Sequence, residues 1–325
     1  MKRFAQRLGW LVVLLFLLQG TGRAFEKVGT TSFQFLKIMT DARSTGMGEA
    51  FSAVVNSSQA VFWNPGALVR VQHADFAVSY LDWLLDVKHT SVALAYRWRG
   101  VGVFGFQSLL TNVGEIEVTR VDHLGFVGDV YNPGLTGEKI SPSAMSLGLS
   151  FARSLTDKFS FGVTAKMVRE DLVVQSKTML VFDMGLIYNT GYRTLQLSAV
   201  VRHFGPEVRY VDKSYPLPQT FSLGVMVYVF GPGNALLFPS GDHSLLLAYD
   251  MTHPRDYNQQ HHLGFEYSFR NILFVRGGYK FNYDEEGPAF GFGVKVKNFR
   301  FDYSYSDFGP CFSAVHRFTF GIRLD

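Results

Sequence analysis

Residues 298–306 read NFRFDYSYS. In an extended chain Phe299, Phe301, Tyr303 and Tyr305 fall on one side, and Arg300, Asp302, Ser304 and Ser306 on the other. Side chains of a strand alternate with a period of two, so the stretch predicts a strand with one wholly aromatic face. Residues 289–297, AFGFGVKVK, repeat the pattern: Phe290, Phe292, Val294 and Val296 oppose Ala289, Gly291, Gly293, Lys295 and Lys297. Residues 316–324, HRFTFGIRL, set Phe318, Phe320, Ile322 and Leu324 against Arg317, Thr319, Gly321 and Arg323. Upstream, 261–269 (HHLGFEYSF), 159–167 (FSFGVTAKM) and 143–151 (SAMSLGLSF) alternate in the same way. Across the chain this rhythm predicts about fourteen strands of roughly ten residues, separated by Gly, Pro, Asn or Asp turns.

A soluble sandwich also alternates, with its apolar face inward. Here the apolar face is aromatic and continuous, and the other face is Gly, Ala and Ser mixed with charges of both signs. That division suits an all-β fold: a transmembrane antiparallel β-barrel of about fourteen strands, aromatic toward lipid and small or charged toward the lumen. Lys295, Lys297, Arg300, Asp302, Glu266, Lys280, Arg317 and Arg323 are then expected inside, as a structural network of ion pairs rather than a substrate path. Hydrophobic residues make up 47% of the 325, yet no apolar run long enough for a membrane helix follows the first thirty positions, which argues against a helical bundle.

The first 24 residues read as an export signal. Lys2, Arg3 and Arg7 precede an apolar run at 8–18, and Gly22 and Ala24 supply the small residues of a cleavage site. This segment carries four basic residues and no acid, which accounts for the whole formal charge of +4. The basic pI of 9.0 is therefore no sign of nucleic-acid binding. The single Cys311 excludes an internal disulfide and has no metal-ligand spacing around it. These features place the protein in the outer membrane of a Gram-negative bacterium, in contact with its lipid. The expected organisation is signal 1–24, an N-terminal segment 25–70 and barrel 71–325.

Two long connections interrupt the rhythm, at 119–142 and at 230–242 (FGPGNALLFPSGD). Barrels of this kind carry short turns inside and longer loops outside. Leu236, Leu237 and Phe238 give the second connection an apolar tip.

No motif points to catalysis or to a cofactor. Gly100, Gly102 and Gly105 form a G-x-G-x-x-G, but a dinucleotide site needs a helix after it, and strand pattern follows instead. His261 and His262 point to opposite faces of one strand and cannot chelate one metal together. Asp250, His253 and Asp256 surround a turn at Pro254, the one place where a cation site is considered. No Gly-x-Ser-x-Gly marks a nucleophile. The expectation is a protein without enzymatic activity, metal or cofactor.

The segment before the strands has its own character. Residues 35–38 (FLKI), 41–53 (DARSTGMGEAFSA) and 60–68 (AVFWNPGAL) resemble the N-terminal signature of the PorV/PorQ family, which is related to the FadL-like outer-membrane barrels of long-chain fatty acid uptake. Residues 182–188 (FDMGLIY) resemble that family's Asp-x-Gly-x-x-Tyr strand, and 303–309 (YSYSDFG) with His316-Arg317-Phe318 its closing hairpin. The resemblance implies a fourteen-stranded barrel with an N-terminal hatch in the lumen, the alternative being a periplasmic extension. Within such a hatch, Gly46 and Gly48 permit close packing on the wall. Phe62 and Trp63 anchor it, Asn64 bonds neighbouring backbone, and Pro65 fixes the turn toward the first strand. These six residues form the expected gate, and Lys295, Arg300, Asp302 and Arg317 the principal lumen charges. The resemblance further implies type IX protein secretion, with secreted cargo proteins and other secretion components as partners. The FadL relation implies instead the uptake of a hydrophobic ligand such as a long-chain fatty acid.

Overall fold

The computed structural model describes residues 28–309 and 312–324. The expected signal peptide and Cys311 lie outside the described residues.

The alternating stretches form fourteen wall strands: β1 (Ala74–Asp82), β2 (Lys88–Trp98), β3 (Gly102–Asn112), β4 (Ser143–Ser154), β5 (Phe159–Asp171), β6 (Ser176–Asn189) and β7 (Gln196–Phe204). They continue as β8 (Thr220–Gly231), β9 (His243–Pro254), β10 (Gln260–Phe269), β11 (Leu273–Phe281), β12 (Pro288–Val296), β13 (Phe299–Ser306) and β14 (Val315–Leu324). Each strand pairs antiparallel with the next, and β14 returns to β1 in a full register from Ala74↔Leu324 to Asp82↔His316. The sheet closes on itself, so every strand has two neighbours and no edge is left in the wall.

The register confirms the alternation. Phe290, Leu263 and Leu149 stand outward and largely exposed, while Asp302, Ser304, Thr319 and Thr164 face inward and are buried. Tyr–His pairs mark the two borders of the apolar belt. Tyr249 with His261 (2.6 Å) and Tyr303 with His316 (2.7 Å) lie toward one end, and His243 with Tyr267 (2.6 Å) toward the other. Polar-tipped rings at the margins of an apolar band are characteristic of a membrane barrel.

Because the strand number is even, the entry to β1 and the exit from β14 lie at the same end. The turns at 99–101, 155–158, 270–272 and 297–298 are at that end. The opposite end bears the longest connection, which is itself a two-stranded hairpin of Ile116–Val127 and Val130–Ile140, and the 205–219 connection. Short turns identify the first end as periplasmic and long loops the second as external. The 230–242 connection corrects the expectation. It follows β8 and so emerges at the periplasmic end. There Leu236 and Leu237 hydrogen-bond back to Tyr228 and Val229, and Phe238 stacks on Phe230 at 5.3 Å. Its length reflects a fold-back onto the wall, not an external loop.

Residues 31–70 run through the lumen. A 3-10 turn (Gln34–Lys37), a short helix (Ala42–Gly46), a second helical turn (Ala60–Trp63) and a 3-10 turn (Pro65–Arg70) follow in order. Nearly all of them are buried, and they form a common core with inward residues such as Ala93, Val103, Ile187 and Leu246. A periplasmic extension is ruled out for this stretch.

Candidate functional site

The lumen segment is fastened at two places on nearly opposite sides of the wall. On one side Gly46 and Gly48 lie on the backbone of β10, β11 and β12. A Cβ at Gly46 would sit 2.8 Å from Gly291 Cα, and one at Gly48, whose φ is +61°, 2.7 Å from Tyr279 N. On the other side Asn64 and Pro65 press on β5 and β6. Asn64 Nδ2 donates to Ser52 O (3.0 Å) within the segment and to Leu186 O (3.1 Å) on the wall, while Gly66 N donates to Asn64 Oδ1. Gly162 and Gly185 leave the space that Pro65 and Asn64 occupy. An approach this close requires the absence of a side chain on at least one partner.

Trp63 is buried and meets Phe51 edge to face at 5.6 Å, and the Arg202 guanidinium lies 5.2 Å from its ring centroid. Phe62 is half-buried and packs against both the central core and a second cluster of Phe33, Phe35, Leu36, Leu109, Val168 and Val181. The six expected gate residues are thus all at the junction of segment and wall, though in two separate groups.

The lumen charges divide as well. Arg300 and Asp302 meet at 2.8 Å, Asp302 meets Arg276 at 2.9 Å, and Arg276 meets Glu266 at 2.6 Å. Arg43 of the lumen segment completes the chain at 2.8 Å from Glu266. All but Arg300 are nearly inaccessible. Lys295 borders the same region without joining the network, and Arg323 pairs with Asp75 at 3.0 Å. Lys280 bridges Glu49 and Glu286 farther toward the external end. Arg317 stands apart, bonded to Met39 O (3.0 Å) and Ser306 Oγ (2.9 Å). Lys297 is a correction: it occupies the β12–β13 turn at φ 53° and is exposed, because the strand ends one residue earlier.

Asp250, His253 and Asp256 are not brought together. Asp250 faces inward and accepts from Phe51 N and Ser52 N, His253 lies on the outward face, and Asp256 binds Lys37 at 2.7 Å. His262 turns inward to Gly48 O and His261 outward to Tyr249. Among the described residues no group of three His, Cys, Asp or Glu side chains is placed to hold a metal ion. Gly102 and Gly105 lie in β3, and no helix follows them.

Sequence reading gave no role to Arg43, Asp183, Arg202 or Arg276, and placed Lys166 on the polar strand face without a partner. Lys166 and Asp183 form a buried pair at 2.6 Å across β5 and β6. Alternation alone would have placed Arg276, Lys166 and Asp183 inward. His203 is beyond that rule. It adopts φ 60° where the β6–β7 register shifts between Phe182 and Met184, so both Arg202 and His203 face the lumen.

Two cavities at opposite ends of the segment have no lining residue in common. One, of about 530 Å³, lies toward the periplasmic end and is bordered by Arg43, Glu266, Arg276, Lys295 and Arg300. The other, of about 240 Å³, lies toward the external end beneath the 255–259 and 282–287 connections, bordered by Met39, Trp63, Trp83, Arg202 and Arg317.

No family model and no curated protein matches the chain. Solved structures do. The toluene transporter TbuX of Ralstonia pickettii is 12% identical with a TM-score of 0.57, over 89% of this chain and 99% of that one. A FadL homologue of Pseudomonas aeruginosa is 11% identical (TM-score 0.54; 88% and 98%). The toluene transporter TodX of Pseudomonas putida is 10% identical (TM-score 0.54; 86% and 97%). At such identities the likeness is one of fold. It is a fold typical of Gram-negative outer-membrane proteins, and it is shared over almost the whole of each chain.

Proposed function

We propose that this protein is an outer-membrane channel for small hydrophobic molecules, gated by its own N-terminal segment. The observation that carries this reading is the division of the lumen. Among the described residues, residues 31–70 fill the middle of the barrel and stand between an external cavity with Trp63, Trp83 and Met39 in its wall and a polar cavity at the other end, and the two share no lining residue. A gated pathway for selected molecules fits this better than a general diffusion pore. The likeness to TbuX, TodX and the FadL homologue supports the same reading. In this view Gly46, Gly48, Asn64 and Pro65 hold the hatch, and Phe62 and Trp63 close its external side.

The test is native purification from the outer membrane in mild detergent, with mass spectrometry of extracted small molecules and of co-purified polypeptides. A stoichiometric apolar compound supports the channel. Secreted proteins sharing a common C-terminal domain would sink it in favour of the second reading, a secretion component of the PorV/PorQ kind. One observation favours that alternative: the hairpin Ile116–Val127/Val130–Ile140 pairs with no other strand among the described residues, and Val121, Phe126 and Val130 are strongly exposed on it. Such a hairpin offers strand edges to an extended partner.

A further inference from the structure

The external cavity, whose lining also includes Glu49 and Glu286, holds two buried arginines that make no direct ion pair among the described residues. Four cations border it, Lys37, Lys280, Arg202 and Arg317. Lys37 is paired with Asp256, and Lys280 with Glu49 and Glu286. Arg202 and Arg317 have no carboxylate within salt-bridge distance among the described residues, yet they are only 7% and 1% exposed. Arg317 is served by neutral oxygens of Met39 and Ser306. Arg202 Nη1 donates to Met39 Sδ at 3.7 Å, and its Nε has no hydrogen-bond partner. Both guanidinium groups therefore contact Met39, one at its backbone oxygen and the other at its sulfur. Each also lies over an indole, Arg202 on Trp63 at 5.2 Å and Arg317 on Trp83 at 5.3 Å.

An unpaired buried charge is costly, and folded proteins ordinarily pair it. Arg43, Arg276, Lys166 and Lys280, buried in the same lumen, all meet carboxylates, and Arg70 is served by neutral oxygens of Ala53, Val55 and Gln196. Arg202 and Arg317 differ from these in sharing one cavity beside two aromatic rings, and Arg202 Nε has no partner at all. We infer that Arg202 and Arg317 form the anion-binding end of a ligand site, and that the ligand is a compact carboxylate with a ring-sized apolar body. The guanidinium is suited to a carboxylate because its planar fork matches two oxygens. The indoles and Met39 provide the apolar wall. The volume of about 240 Å³ lies below the roughly 300–1,000 Å³ of pockets that take drug-sized ligands, which limits the body to something small. This site rests on the channel reading only for the direction from which the ligand arrives.

Benzoate is the probe, with toluene as the same ring without the charge, acetate as the charge without the ring, and decanoate as the charge with a longer body. Full-length protein in detergent is titrated with each while indole fluorescence is followed, since Trp63 and Trp83 lie in the cavity wall. Benzoate is expected to bind saturably and at least roughly tenfold more tightly than the other three. Arg202→Met removes the charge at similar volume, so the variant is expected to fold at least as well as the parent and to bind benzoate about tenfold or more weakly. Arg202→Lys restores part of the loss. Equal binding of toluene and benzoate, tighter binding of decanoate, or no effect of Arg202→Met would overturn the anion site and leave the channel reading standing. Arg202-dependent benzoate binding without entry of benzoate or toluene into liposomes bearing the protein would support the anion site and sink the channel.

Discussion

Gly185 has no side chain because Asn64 stands where one would be: a Cβ there would lie 2.0 Å from Asn64 Oδ1 and 2.9 Å from Pro65 Cδ. Two residues 121 positions apart are fitted to each other, and the fit decides whether the hatch seats. Asn64→Ala removes the bonds to Ser52 O and Leu186 O and leaves those carbonyls with one partner fewer. The expected loss is about 1–3 kcal/mol of stability, read from thermal or urea unfolding in detergent. Gly185→Ala is expected to do more, because backbone on both sides must move. It should raise single-channel conductance in planar bilayers as the hatch shifts from the wall. A closed Gly185→Ala channel with parent-like stability would show that the contact is not a pin. Asn64 and Pro65 were legible in the sequence as an Asn-Pro turn. Their glycine counterparts on β5 and β6 were legible only as lumen-facing strand glycines, since no one-dimensional signal says which glycine meets which.

At the scale of elements, the lumen segment is tied along its whole length by unlike devices. Thr31, Gln34 and Lys37 converge on Asp256 at the external mouth, Arg43 on Glu266 in mid-lumen, and Asn64 on β6. Deleting residues 45–66 removes both glycine contacts. Planar-bilayer conductance is expected to rise to that of an open barrel; an unchanged conductance would refute the plug. The external tether is sensitive to acid. Burial alone would push the Asp256 carboxyl up, but the bonds from Lys37, Thr31 and Gln34 outweigh it and hold the group below its ordinary value of 3.8. A depressed carboxylate contributes stability that is complete above its unfolded value, near 3.9, and is lost as the pH falls through the folded value. Hydrogen-exchange protection at residues 31–37, relative to the intrinsic rate at each pH, is therefore expected to be high at neutral pH and to fall below about pH 4. Asp256→Asn should show the lower protection already at pH 7. Equal protection in parent and variant across the range would mean that the tether does not hold the segment.

The whole molecule has its two barrel termini on one side and the start of its lumen segment on the other. Residues 31–37 contact the 205–219 and 255–259 connections through Ser32 N to Pro216 O and through Asp256. The chain thus enters β1 only after crossing the lumen from the external mouth. A cysteine placed at Gly29, which is exposed, is expected to react with a membrane-impermeant maleimide on intact cells. One placed in the 297–298 turn is expected to react only after the outer membrane is permeabilised. The reverse pattern would invert the assigned orientation. Closure of the sheet explains why this arrangement tolerates so polar an interior. Lipid contacts only the outward face, while most buried charges pair within a lumen that lipid does not reach.

The sequence by itself determined the barrel, the facing of its strands and the strand number, because a period of two with one aromatic face has few solutions in a chain without membrane-length apolar runs. It also singled out Gly46, Gly48, Asn64 and Pro65, through small and turn-forming side chains in an otherwise strand-patterned chain. Only the tertiary structure decided which charges pair. Glu266 joins Arg43 from 223 positions away and Arg276 from 10, and neither partner follows from local pattern. The same holds for Arg202, which is unpaired because the shift in β7 register brings His203 inward beside it and leaves Asp183 to Lys166 and the His203 amide. Alternation is a local property of the chain and can be read along it. Pairing across the lumen depends on closure and register, which exist only once the barrel has formed.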